Sequence, residues 1–155
     1  MLSNPPVTDG RRTARRVDLA TMILGFDAYR IVNMFAWPSH ATGELNQLGT
    51  ADSGWAEARP DIVSALNSAG GVLLGYGSTA PVGAARIQFR AQVDWLKGQL
   101  STLMLPVWQF GDGPRHPSRW QRWTYRAHPN IPFDEAVRLS LVPVGHGPVG
   151  VPTRV

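Results

Sequence analysis

The sequence of 155 residues contains no cysteine. This absence excludes a disulfide scaffold, a thiolate zinc site and a cysteine nucleophile, and because it fits a reducing cytosol we expect a cytoplasmic location. Long apolar runs are also missing, since none approaches the roughly 20 residues of a membrane-spanning helix. Segment 1–16 does not resemble a secretory signal, because no long apolar stretch follows its arginines. We therefore expect no membrane partner.

Lysine is almost absent as well. Fourteen of the 15 basic residues are arginine, the exception being Lys97, and with 11 acidic residues the formal net charge is +4. Arginine binds phosphate through paired hydrogen bonds, which favours a nucleic-acid partner, but a GC-rich genome would enrich arginine equally well. The positions of the arginines are therefore more informative than their number.

Short apolar runs alternate with segments of helical periodicity. After a short apolar stub at 1–3, the pattern predicts strands at Tyr29–Phe35, Gly71–Tyr76 and Leu103–Phe110, and helices at Thr13–Phe26, Trp55–Ala69 and Ala80–Leu100. Gly25 is expected to end the first helix, and Pro60 to lie in the first turn of the second.

Strands that alternate with single helices pair in parallel through right-handed crossovers. The predicted fold is therefore α/β: a three-layer sandwich with a mostly parallel central sheet of about four strands flanked by helices. We expect one domain over residues 1–127 and a Pro/Gly-rich C-terminal tail over 128–155 that packs on it.

Ligands of such sheets bind beyond the carboxyl ends of the strands. Four segments lie at strand ends here: Asn4-Pro5-Pro6, 33–38, Gly75-Tyr76-Gly77-Ser78 and 111–120. Asn33 begins the second of them, and His116-Pro117-Ser118 lies in the fourth. Each also has a purely structural interpretation: an ordinary turn, an amide satisfied by a neighbouring loop, a glycine turn, and a surface histidine. The glycines lack the spacing of nucleotide-binding motifs.

Taken in order, these four segments resemble the uracil-DNA glycosylase superfamily. They are similar in particular to the domain-of-unknown-function family 1643, whose LNPSTAD, NLFA and RHP segments look like residues 2–9, Asn33–Ala36 and Arg115–Pro117. The resemblance covers residues 1 to about 125. It implies a monofunctional DNA glycosylase that cleaves the N-glycosidic bond of a flipped base without a metal or a cofactor. The pattern does not choose between uracil and a modified pyrimidine.

The resemblance also implies roles for individual residues. Asn4 would orient the attacking water, with Asp9 as an acidic alternative, and His116 would stabilise the departing base. Asn33 would read the base edge. Phe35, two residues later on the same face of a regular strand, would stack on the base, although a core position is the alternative.

Two basic clusters flank these segments and predict a DNA-binding face. One is the set Arg11, Arg12, Arg15 and Arg16 on one side of the first helix, and the other is the set Arg115, Ser118, Arg119, Trp120 and Arg122 around the histidine. The resemblance implies that Arg119 and Trp120 penetrate the DNA and hold the base out of the stack, the alternative being a surface helix whose tryptophans pack on the sheet. The expected partner is single- or double-stranded DNA, bound by a monomer. Two other functions stay open: a non-catalytic DNA-binding protein on the same fold, and a free-nucleotide hydrolase.

Overall fold

The structure is a computed structural model that describes residues 1–3, 10–39 and 42–145. Within these ranges the chain forms six α-helices and three β-strands: α1 (Arg11–Leu24), α2 (Leu45–Leu48), α3 (Ser53–Ser68), β1 (Val72–Leu74), α4 (Ala84–Leu103), β2 (Val107–Phe110), α5 (Trp120–Ala127), α6 (Phe133–Ser140) and β3 (Leu141–Pro143). No helix in these ranges combines the length and apolarity that crossing a bilayer requires. The predicted α/β class is confirmed.

The first helix ends where the sequence predicts. Gly25 follows α1 with a φ of 79°, a left-handed conformation that costs glycine little because it has no Cβ. Its N–H donates to the carbonyl oxygen of Met22, and the N–H of Phe26 donates to that of Thr21 at 3.0 Å. These two bonds satisfy carbonyl groups that the helix end would otherwise leave unpaired.

The sheet has the order β1-β2-β3, with β1 parallel to β2 and β2 antiparallel to β3. Residues 1–3 run beside β1, since the Met1 nitrogen donates to Leu73 O at 2.9 Å and Gly75 N donates to Met1 O at 2.8 Å. On their other side, Leu2 forms a parallel bridge with Asn33. The described sheet is therefore small and mixed, whereas the sequence predicts about four mostly parallel strands.

Successive residues of β1 pack into different clusters, as a pleated strand requires. Val72 and Leu74 belong to the larger core cluster, which includes Trp55, Ile62 and Leu96 of α3 and α4. Leu73 packs against a second cluster, formed by Ala20, Phe110, Trp120 and Val137. Burial of each large side chain in these clusters contributes about 1.5–3 kcal/mol to folding.

The predicted strand at Tyr29–Phe35 is wrong in most of its length. Only Asn33 forms a bridge, and the chain bends from Met34 onward. The bend is held by a buried amide, since Nε2 of Gln92 donates to the carbonyl oxygens of Met34 and Trp55 at 3.0 Å each. The apolar letters of this segment thus reflect burial in a bent segment rather than a strand.

Two further positions differ from the sequence-based expectation. Pro60 lies inside α3, which begins at Ser53, and not in its first turn. Part of the segment predicted as a tail is regular structure, because α6 packs against α5 and β3 pairs with β2. The third strand therefore comes from a region whose proline and glycine content suggested only an irregular segment. Residues 146–155 of that segment lie outside the described residues.

Candidate functional site

Segments distant in sequence meet beyond the carboxyl ends of β1 and β2, at what we call the carboxyl edge: Ser3, Asn33, Gly75–Gly77 and the loop 113–119. Gly75 lets Leu2 and Pro117 pack closely against the end of β1, because a Cβ at this position would lie 3.2 Å from Leu2 Cδ2 and 3.3 Å from Pro117 Cδ. The N–H of Gly77 donates to the carbonyl oxygen of Pro114 at 2.6 Å. Leu2, the bridge partner of Asn33, and Pro117, the neighbour of His116, therefore both pack against Gly75.

His116 caps the 3-10 turn Pro117–Arg119 with its own side chain. The backbone N–H of Ser118 donates to Nδ1 at 3.2 Å, and the Ser118 hydroxyl lies 2.9 Å from the same nitrogen. Because a backbone N–H can only donate, Nδ1 must be the unprotonated nitrogen. The neutral imidazole therefore carries its proton on Nε2, the nitrogen that the turn does not use.

The surroundings of His116 favour its neutral form. Burial lowers the pKa of this imidazole below its ordinary value, and the positive charges of Arg119 and Arg16 lower it further. At neutral pH the ring is thus a neutral hydrogen-bond donor held in one tautomer. Such a donor suits the stabilisation of negative charge that develops during a reaction.

The loop around His116 is held by two arginines from opposite directions. Arg16 of α1 is 9% exposed and donates to Pro117 O at 2.8 Å and to Gln121 Oε1 at 3.0 Å. Arg115 pairs with Asp112 at 2.7 Å, and its guanidinium lies 5.5 Å from the centre of the Trp123 ring. The structure therefore corrects the prediction that Arg16 belongs to the DNA-binding face, because its guanidinium is hydrogen-bonded within the protein.

Asn33 has an unusual environment for an amide. The residue is half-buried, and its Oδ1 is buried without a hydrogen-bond partner in the part of the chain that the structure describes. An unpaired buried acceptor costs about 1–3 kcal/mol. Within residues 1–3, 10–39 and 42–145, no neighbouring loop satisfies it, as the structural interpretation would require. A ligand that donates a hydrogen bond would pair this oxygen, but only after the groups that cover it move aside, because the atom is shielded from solvent.

Two predicted contact residues belong to the core instead. Phe35 has no exposed surface and packs against Trp55, with ring centres 4.8 Å apart, because the bend after Asn33 turns its ring inward. Trp120 also has no exposed surface; its ring stacks on Phe110 at 4.3 Å and its Nε1 donates to Arg115 O. Neither ring can contact a base or enter a duplex while the protein keeps this fold.

The remaining predicted DNA contacts lie at the surface. Arg11, Arg12 and Arg15 are exposed on α1, while Ser118, Arg119 and Arg122 are exposed at the start of α5. Asn4, predicted to orient the water, lies outside the described residues, as does Asp9. Among the residues that are described, no group of acidic or histidine side chains is arranged to hold a metal ion.

Sequence reasoning missed three residues around this edge. Gln92 holds the bend after Asn33, Gln121 accepts from Arg16, and Tyr125 is 83% exposed on α5. The exposure of Tyr125 follows from helical spacing, since Trp120 and Thr124 face the core. No local sequence pattern pointed to Gln92 or Gln121, because the groups to which they are hydrogen-bonded are distant in sequence.

Two cavities adjoin the edge. The smaller one, about 240 Å³, is lined by Ser3, Met34, Tyr76 and their neighbours. The larger one, about 390 Å³, is mainly apolar and runs along α1 beneath Pro117; neither His116 nor Asn33 lines it. We therefore locate the candidate site by its polar groups and not by either of these two cavities. No protein-family description, curated protein or solved structure matches this chain.

Proposed function

We propose that this protein cleaves the N-glycosidic bond of a uracil or modified pyrimidine that is flipped out of DNA. The proposal depends on the observation that two polar side chains, His116 and Asn33, belong to segments that meet at the same edge of the sheet. His116 offers a neutral Nε2–H donor, and Asn33 offers a buried, unpaired acceptor. Together they supply the two interactions that release of a pyrimidine requires: recognition of its edge and stabilisation of its departing charge.

His116 acts on the leaving group. Cleavage of this bond passes through an oxocarbenium-like sugar while negative charge grows on the base. A hydrogen bond from Nε2–H to the pyrimidine O2 strengthens as that charge develops, so it lowers the barrier rather than merely binding the substrate. The N–H of Ser118 donates to Nδ1 and so keeps this nitrogen unprotonated, which leaves the proton on Nε2.

Asn33 reads the base. Its Oδ1 accepts from the N3–H of a uracil-like ring and its Nδ2 donates to O4, so both polar atoms of the edge are paired. A base that presents the opposite pattern leaves the buried Oδ1 facing an acceptor, which costs binding energy. The attacking water is assigned to Asn4 through the resemblance, and no cofactor or metal is required in this scheme.

The proposed fold is the three-layer sandwich with a parallel core. It is supported by the run of parallel contacts from Asn33 through Leu2 and β1 to β2, and by the alternate packing of β1 side chains into two clusters. In such a sheet, functional groups collect beyond the carboxyl ends of the strands, where Asn33 and His116 lie.

DNA binding is assigned to the exposed arginines, with the chain acting as a monomer. Arg11 and Arg12 are exposed in the first turn of α1, where positive charge opposes the helix dipole. Arg119 and Arg122 lie beside the His116 turn. Both sets are suited to phosphate contacts on either side of a flipped nucleotide.

The deciding experiment is base release from uracil-containing oligonucleotides, single- and double-stranded, detected by alkaline cleavage of the abasic product. We expect His116→Ala to slow single-turnover release by about 100-fold or more while DNA affinity changes little. His128→Ala is the control, because His128 also precedes a proline but lies after α5 and packs on Trp123 rather than in the turn Pro117–Arg119. If only His128→Ala loses activity, the chemistry has been assigned to the wrong histidine.

A wild-type protein that binds DNA but releases neither uracil nor any modified pyrimidine would refute the proposal. The non-catalytic DNA-binding protein on the same fold would then be the better account. A protein that releases base only from free nucleotides would support the hydrolase alternative.

A further inference from the structure

The outer face of α5 carries an aromatic ring that the fold does not use. Tyr125 is 83% exposed, the largest fraction among the large apolar and aromatic side chains in the described ranges. The opposite face of the helix holds Trp120 and Thr124 in the core. A ring so exposed contributes almost nothing to packing, so Tyr125 can contact a molecule outside the protein without any change in the fold.

The charged side chains of α5 itself and of the turn before it are all basic. Arg119, Arg122 and Arg126 are all exposed, and none of the three forms an ion pair within the described part of the chain. Neither α5 nor the turn before it contains an acidic residue. An aromatic ring among unpaired arginines has the chemistry of a surface that binds single-stranded nucleic acid, where rings stack on bases and arginines contact phosphates.

The position of the ring is suitable as well. Side chains of a helix lean toward its N-terminus, so Tyr125 covers the turn that holds Gln121 and Arg122, on the side of the His116 turn. Tyr125 lies about 7.5 Å along the helix axis from Trp120, the first residue of α5, which directly follows the His116 turn. Gln121 is tied to Arg16, so the start of α5 is firmly attached to the site.

We propose that the surface formed by Arg119, Arg122, Tyr125 and Arg126 binds single-stranded DNA next to the target nucleotide, with Tyr125 stacking on an unpaired base. The identity of the partner rests on the proposed function. A base within a duplex has both faces covered, so this surface selects DNA that is single-stranded or locally opened. Every base presents a flat face, so the contact carries no sequence preference.

The test measures binding in the absence of chemistry. A labelled oligodeoxyadenylate has no pyrimidine to release, so its affinity reports on the surface alone. We expect Tyr125→Ala to weaken binding about tenfold and Tyr125→Phe to bind like wild type, because stacking needs the ring and not the hydroxyl. The salt dependence should keep its slope in Tyr125→Ala, whereas Arg122→Ala with Arg126→Ala should reduce it by about 1.4 units.

The chain offers a matched control on another helix. Ile87 of α4 is 69% exposed and lies beside Arg86 and Arg90 on an exposed face. Ile87→Ala should leave the affinity unchanged. If it weakens binding as much as Tyr125→Ala, the DNA adheres to any basic and apolar surface and the proposal is wrong.

The remaining outcomes separate this proposal from the proposed function. Wild-type affinity in Tyr125→Ala, or an equal loss on a fully paired duplex, would overturn the stacking contact even if uracil is released normally. Conversely, a protein that releases no base from any substrate but needs Tyr125 for single-stranded DNA would retain this surface and lose the glycosylase activity. Unchanged thermal unfolding of Tyr125→Ala is expected, because the side chain is exposed.

Discussion

The guanidinium of Arg16 donates a 2.8 Å hydrogen bond to the carbonyl oxygen of Pro117, 101 residues further along the chain. Its second nitrogen binds Gln121, so one buried side chain ties α1 both to the turn behind His116 and to the start of α5. Because Pro117 directly follows His116, the first helix determines where the imidazole lies. Arg16 is thus a positioning residue of the candidate site.

Arg16→Gln should therefore change both the stability of the protein and the pKa of His116. We expect the free energy of unfolding to fall by about 2 kcal/mol, since charge-assisted hydrogen bonds to buried groups are lost. The pKa of His116 should rise, because a nearby positive charge that disfavours the imidazolium is removed. Urea denaturation and an NMR titration measure the two effects. Arg16→Lys keeps the charge and should retain the low pKa, and an unchanged pKa in Arg16→Gln would contradict this role.

The protonation of His116 is directly testable. Nitrogen NMR of the imidazole should show the proton on Nε2, because Nδ1 accepts from Ser118 N. The pKa should lie below the ordinary value, and Arg119→Ala should raise it. The neutral donor then persists to lower pH than in a free histidine, so base release should decline only as the pH falls through this lowered pKa. A proton observed on Nδ1 would refute the assigned tautomer.

Asn33→Leu separates function from stability. Leucine has a similar shape and removes the unpaired Oδ1, so the free energy of unfolding should stay equal or rise by about 1 kcal/mol. Discrimination between bases should be lost at the same time, because the amide's two hydrogen bonds do the reading. Denaturation curves and release rates on paired substrates provide the comparison. A large loss of stability would show that the amide is structural.

Substitution by alanine is expected to have opposite effects on stability at Gly54 and at Gly98. A Cβ at Gly54 of α3 would lie 2.3 Å from Phe35 Cε2, whereas a Cβ at Gly98 of α4 would meet nothing within 4 Å. Gly54→Ala should therefore destabilise by about 2–3 kcal/mol through overpacking. Gly98→Ala should stabilise by up to about 1 kcal/mol through helix propensity. Thermal unfolding tests both, and a stabilised Gly54→Ala would mean that Phe35 is not held against α3.

Arg11→Ala combined with Arg12→Ala tests the α1 side of the DNA face. Affinity should fall about equally for all sequences, and the slope of binding against salt should decrease by about one to two units, because phosphate contacts carry no sequence information. Binding titrations at several salt concentrations measure the slope. An unchanged slope would indicate that these arginines are merely solvated.

Local sequence patterns predicted the helices and strands well where apolar residues recur because of regular secondary structure. The period of α1 together with Gly25 located its end, and the apolar runs before Leu74 and Phe110 located β1 and β2. The pattern misled where burial occurs without regular structure. Residues after Asn33 are apolar because they fill the core, and their bend depends on Gln92, 58 residues from Met34. No local pattern contains that contact.

What the sequence determined by itself was the α/β class and the order of polar segments after apolar ones, because helical and strand periodicity and turn residues act over a few neighbours. It also identified His116 and Asn33 as candidates. Only the tertiary structure decided that Arg16 and Trp120 turn inward, which leaves Tyr125 outward through the helical spacing of α5, and that Oδ1 of Asn33 has no partner among the described residues. Those outcomes depend on which distant groups compete for each side chain, and that competition exists only once the chain is folded.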